Sequence, residues 1–146
     1  MCSSLLDTQL VAIRPLQLSA TPSDQFRQEE ILRELNTLRA GWCALKAPGF
    51  EILADGRDVD TGLWGCDDGA IDAQFKALLQ WAAASQCGRR LRFHMAGDSR
   101  VTNLGQVVER IGSKLGVVGQ LVQLLSEYQL RGMDRGVFEF IMAELK

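Results

Sequence analysis

Residues 104–130 read LGQVVERIGSKLGVVGQLVQLLSEYQL. Leu104, Val108, Ile111, Leu115, Val118, Val122 and Leu125 recur at alternating spacings of four and three. That rhythm lays them along one stripe of α-helix. Gly105, Gly112, Gly119 and then Ser126 fill one repeated slot beside the stripe, where small residues let a second backbone come close. A single helix over this stretch would be about 40 Å long, and each internal glycine would cost about 1 kcal/mol against alanine. Two helices jointed near Gly116 to Gly119 avoid part of that cost, and Lys114-Leu115-Gly116-Val117 resembles a Schellman stop. The unbroken apolar phase favours one helix. Both readings stand. Gly132 ends the segment, and Asp134 is placed to cap a last helix carrying Val137, Phe138, Ile141, Met142 and Leu145.

Working back toward the N-terminus, Arg89 to Met95 alternates as a strand does. Leu91, Phe93 and Met95 point one way, and Arg90, Arg92 and His94 the other. Ile71, Phe75, Leu78 and Ala82 predict a helix, capped by Asp67 or Asp68 and ended at Gly88. Thr21-Pro22-Ser23-Asp24 opens another over about 22–46, with Ile31, Leu35, Leu38, Trp42 and Leu45 on its inner side. Short strands are expected around Leu10 to Leu18, interrupted at Pro15, and from Phe50 to Ala54. The glycine-rich stretch after Asp55-Gly56 reads either as a second strand or as an irregular loop. The expected fold is α/β or α+β: a small sheet of three to four strands packed with about four helices, in the order β-α-β-(β)-α-β-α-α. Residues 1–146 are read as one compact domain with residues 1–8 loosely held.

At 146 residues, 47% hydrophobic and 23% charged, the chain can bury a core without a metal or disulfide. Its net charge of −2 argues against a dedicated nucleic-acid binder. Cys2, Cys43, Cys66 and Cys87 form no C-x-x-C pair. The first residues lack the basic region of a signal peptide, so the cysteines read as reduced thiols of a cytoplasmic protein. The apolar run from Leu115 to Ser126 is too short to span a bilayer.

Charge is unevenly spread. Seven acids and only Arg57 fall between Phe50 and Asp72, while Arg89, Arg90, Arg92 and Arg100 face only Asp98 between Gln86 and Arg100. A strand face bearing Arg90, Arg92 and His94, followed by Ser99, Arg100 and a helix start, is a candidate anion site. Pairing with the acids of residues 50–72 is the plainer account of the same arginines. His94, the one histidine, is a weak candidate for acid–base work. Asp58 and Asp60 are weak metal candidates, because Gly62 and Gly69 fall where an EF-hand needs oxygen donors. No zinc set, nucleotide-binding glycine loop or activated cysteine stands out, and no cofactor is expected.

The leading functional expectation is a protein-interaction module: an adaptor, regulatory factor or inhibitor. Its interface would comprise Leu104, Val108, Ile111, Gly112, Leu115, Val118, Gly119, Val122 and Leu125, and its partner would be another protein or a second copy of the chain. The second expectation is a small anion-ligand sensor or enzyme acting on a phosphorylated or carboxylated small molecule. Arg90, Arg92, His94, Ser99 and Arg100 would then carry binding.

Overall fold

The structure, a computed structural model, describes residues 10–14, 16, 17, 21–43 and 58–146. The expected strand at Phe50 to Ala54 and the loosely held residues 1–8 lie outside them. Five helices and two strands follow one another: α1 (Gln28–Cys43), β1 (Val59–Gly62), α2 (Ala73–Gln86), β2 (Leu91–His94), α3 (Leu104–Lys114), α4 (Val118–Arg131) and α5 (Val137–Glu144). Short 3-10 turns occupy Pro22–Phe26 and Ser99–Val101. The mixed α/β expectation holds. The sheet among the described residues has two strands rather than three or four, and residues 10–14, 16 and 17 are not in a strand.

β1 and β2 run parallel, with Val59 opposite Leu91 and Gly62 opposite His94. A parallel pair needs a crossover, and α2 supplies it. Both strands therefore end on the same side, where ligands collect in open α/β sheets.

α2 is the central element. Ala73, Phe75, Ala77, Leu78, Leu79, Ala82, Ala83 and Ala84 are all buried, together with Lys76 and Gln80, so most of its circumference is covered, as a helix apolar on nearly every side must be. Asp72, not Asp67 or Asp68, caps it, accepting from the Phe75 N–H at 2.8 Å. Gly88 ends it at φ 66°, and the Arg89 N–H returns to the Ala84 carbonyl at 2.9 Å. That is the Schellman geometry a glycine permits.

α1 packs along α2. Ile31, Leu35, Leu38 and Trp42 form its inner stripe as expected, but the helix starts six residues later than predicted. Asp24 accepts from the Thr21 N–H at 2.7 Å, and the backbone turns extended at Arg27 before α1 begins. Phe26 then joins an edge-to-face aromatic chain through Phe75, Tyr128 and Phe140. Cys43 and Cys87, expected as free thiols, are disulfide-bonded with their Cα atoms 5.4 Å apart. The bond ties the carboxyl ends of α1 and α2. The two cysteines lie 44 positions apart in the sequence, so only the folded helix pair brings them together.

The 104–130 stretch is two helices. Leu115 and Val117 are extended, and the Gln120 carboxamide oxygen accepts from the Gly116 and Val117 N–H groups at 2.7 and 3.3 Å. That side chain satisfies donors a new helix start leaves unpaired. The apolar phase survives the break because both helices lie on the same core. Leu104, Ile111, Val122 and Leu125 are buried, and Val108, Leu115 and Val118 pack against them. The glycine slot faces outward instead. A Cβ on Gly105, Gly112 or Gly119 would meet nothing within 4 Å. The stripe expected to be an interface is thus the internal face of this chain, and among the described residues its notches receive no helix. Among the described residues, no helix is long and apolar enough to cross a membrane.

Candidate functional site

The carboxyl ends of β1 and β2 lead into two short connections, residues 63–72 and 95–98. The first is fastened at several points. Trp64 Nε1 donates to Thr61 Oγ1 at 3.1 Å, Thr61 donates to Gln80 Oε1 at 2.5 Å, and Gln80 Nε2 donates to the Gly62 carbonyl at 3.0 Å. At the far end, buried Gln25 accepts from the Asp72 N–H at 2.7 Å and donates to the Ala70 carbonyl at 3.3 Å. Gly65 and Gly69 take positive φ of 80° and 75°, which only glycine adopts freely. The second connection is a tight turn. The Asp98 N–H donates to Met95 O at 2.8 Å, and Ala96 (φ 50°) and Gly97 (φ 81°) are both left-handed. A non-glycine there carries local strain.

Arg100 joins the two. It donates to both Asp98 carboxylate oxygens, at 2.6 Å from Nη2, and Nη1 donates to the Cys66 carbonyl at 3.4 Å. Those bonds hold the Asp98 carboxyl below its ordinary range and raise the guanidinium. Cys66 is buried under the loop, and desolvation pushes its thiol up to about 11. It stays protonated at neutral pH and is no nucleophile.

Outside this fastening lies a cleft of about 510 Å³, lined by Leu16, Gln17, Gly65, Asp67, Asp68, Ala70 and Ile71. The size suits a small ligand. Asp68 accepts from the Ala70 N–H at 3.0 Å, and Asp67 makes no hydrogen bond among the described residues. Two exposed carboxylates beside apolar Leu16, Ala70 and Ile71 can accept hydrogen bonds from hydroxyls while a flat apolar group covers the rest. α2 does not offer an open N-terminus to an anion, because Asp72 already caps it.

The sequence-predicted anion residues go elsewhere. Asp58 receives Arg90 Nε and Arg92 Nε, each at 2.9 Å, and Asp60 meets His94 Nε2 at 2.9 Å. Burial alone would raise the Asp58 carboxyl, but hydrogen bonds from Arg92 and Arg90 outweigh it and the pKa falls. These residues form an ion-paired, exposed sheet face; Arg90 is 85% exposed. Arg100 is spent on Asp98 and the loop, apart from that face, and Ser99 opens the 3-10 turn that Asp98 caps. The weak metal candidates Asp58 and Asp60 are engaged by basic groups, and the described residues hold no metal-binding cluster of three His, Cys, Asp or Glu side chains. Asp67 and Asp68 were read from sequence as helix caps and as members of the acidic 50–72 stretch, not as the lining of a cleft. Their position in a glycine-rich connection following a short strand was the available signal.

A sequence model of the family described as poly(ADP-ribose) glycohydrolase (PARG), macro domain fold, matches residues 3–103. This chain belongs to that family. The match covers more than half of its length and includes both strands, α1, α2 and the whole cleft-lining connection. Among relatives, the probable poly(ADP-ribose) glycohydrolase 2 of Arabidopsis thaliana is 36% identical over 92 residues, which is 60% of this chain and 18% of that protein. Poly(ADP-ribose) glycohydrolase 1 of the same plant is 34% identical over 92 residues, 60% of this chain and 17% of that protein. The chain thus spans less than a fifth of the length of these curated relatives. Membership overturns the adaptor reading: a glycohydrolase family is an enzyme family, and the helical stripe that motivated an interaction module is core.

Proposed function

We propose that this protein acts in the hydrolysis of poly(ADP-ribose), and that the cleft over residues 65–71 seats an ADP-ribosyl unit. The family match carries the reading, since it runs through the connection that lines the cleft. The chemistry of the lining supports it. A ribose presents hydroxyl donors to carboxylates such as Asp67 and Asp68, and a nucleobase presents a flat face to Leu16, Ala70 and Ile71. Glycosidic cleavage needs a carboxyl group beside the scissile bond to move a proton. Asp67, exposed and without a hydrogen-bond partner among the described residues, has a carboxylate to offer. The wider protein context in which the relatives work is much longer than this chain, so ligand seating is the part of the reaction these residues support best.

Calorimetric titration with ADP-ribose, paired with chromatography of the products formed from poly(ADP-ribose), tests the reading. ADP-ribose is expected to bind, with affinity reduced about ten-fold or more in Asp67→Ala, and inorganic pyrophosphate alone is expected not to bind. Absence of both ADP-ribose binding and polymer breakdown would contradict it.

A further inference from the structure

Lys76 lies near the start of α2, where its neighbours are alanine, leucine and phenylalanine, and its side chain is 1% exposed. Its ammonium pairs with Glu34 of α1, which is 2% exposed. A buried ion pair is seldom worth more than well-packed apolar side chains of the same size, so stability does not account for it. Burial pulls the Lys76 pKa down, and Glu34 opposes that pull. The other partner of the ammonium is more informative: Nζ sits 3.5 Å from the centroid of the Trp64 ring, well inside cation–π range. Trp64 is thereby held at its face by Lys76 and at its indole N–H by Thr61. Gly65, the next residue, is the first in that connection to line the cleft. Lys76 itself is enclosed and cannot reach a ligand.

We propose that Lys76 is a positioning residue: neutralised by Glu34 behind it, its ammonium seats the Trp64 ring and so sets the place of Gly65 to Asp68 against the bound ligand. The benefit of this for binding rests on the ADP-ribosyl reading above; the seating itself does not.

Three variants separate the roles. Glu34→Gln with Lys76→Met removes both buried charges together and leaves no uncompensated ion. Trp64→Leu removes the ring and leaves the ion pair, while Trp64→Phe restores an aromatic face. In ¹⁵N spectra of the ligand-free protein, the charge-neutral double variant is expected to shift the Trp64 indole signal and the Gly65, Cys66, Asp67 and Asp68 amides, leaving the Trp42 indole in place. ADP-ribose affinity is expected to fall about ten-fold in the double variant and in Trp64→Leu, and to return within about three-fold of wild type in Trp64→Phe. If the double variant folds and those loop signals stay where they are, the proposal is overturned. If it does not fold, Lys76→Met alone, in which Glu34 can take up a proton, decides: unmoved loop amides overturn the proposal and displaced ones support it. A wild-type protein that fails to bind ADP-ribose removes the functional reading, while the ligand-free spectra still decide what Lys76 does.

Discussion

Arg100 donates from Nη1 to the Cys66 carbonyl at 3.4 Å, so the segment after β2 holds the loop after β1. Its other nitrogens lie on Asp98. Arg100→Ala removes that clamp without emptying the core. The expected result is a fall of about five-fold in ADP-ribose affinity, the equivalent of one net hydrogen bond of about 1 kcal/mol. Arg100→Lys should not restore it, because an ammonium lacks the planar fork needed to meet Asp98 and Cys66 together. Unchanged affinity in both variants would detach the clamp from ligand binding.

The Cys43–Cys87 bond closes a long loop that contains β1, the cleft-lining connection and α2. Cross-links of this kind stabilise by about 2–4 kcal/mol. Cys43→Ser with Cys87→Ser should lower the melting temperature by on the order of 10 °C. A dithiol reductant should lower that of the wild type similarly and leave the double variant unmoved. Equal melting temperatures for oxidised and reduced wild type would count against the bond's contribution.

Glu34→Ala leaves the Lys76 ammonium buried without its carboxylate. Breaking one half of such a pair destabilises by about 3–5 kcal/mol, readable in urea unfolding. The charge-neutral double variant should recover most of the loss. Equal destabilisation of single and double variants would show that packing, and not charge, sets the cost.

Glycine substitutions should change sign with position. A Cβ at Gly132 would lie 2.6 Å from a Phe140 ring carbon and 2.7 Å from one of Tyr128, so Gly132→Ala should destabilise by about 1–3 kcal/mol through overpacking. Gly112, in mid-α3, has open space around it, and Gly112→Ala should stabilise by up to about 1 kcal/mol.

Acid should unfold the protein through its ion-paired carboxylates. The folded-state pKa values of Asp58, Asp98 and Glu144 all lie below their ordinary values. A depressed carboxylate pKa adds stability that is fully present above the unfolded value, near 4. That stability is lost as pH falls through the lower folded value. Melting temperature should therefore be flat from pH 7 to about 5 and drop below about 4. Asp98→Asn should flatten that drop. An unchanged acid limb in Asp98→Asn would assign the loss to other groups.

Much of the framework was legible from periodicity, because burial on one face leaves a repeat in the text. Leu91 and Phe93 against Arg92 and His94, Ile31 to Trp42, and Leu104 to Leu125 are all read this way. Periodicity says which residues are covered, not what covers them. The 104–125 stripe is therefore compatible with an external partner or an internal core, and the packing of α3 and α4 decides for the core. It also survives a break when both helices share a core, so the joint at Leu115 to Val117 depended on one polar side chain, Gln120. The Lys76–Glu34 pair leaves no such mark, since the two residues lie 42 positions apart on different helices and only the packing of α1 on α2 buries them. The cleft leaves no such mark because its lining comes from a connection with no repeat, whereas the arginines that stand out in the text, Arg90 and Arg92, are paired with Asp58.

Amide mapping is the most direct measurement of the central claim. ¹⁵N spectra recorded as ADP-ribose is added should show the largest shifts at Gly65, Asp67, Asp68, Ala70 and Ile71, with Gln17 beside them and the Arg90, Arg92 and His94 face of the sheet unmoved. Saturating ADP-ribose that leaves residues 65–71 unshifted, or that shifts the β2 face instead, would contradict the account.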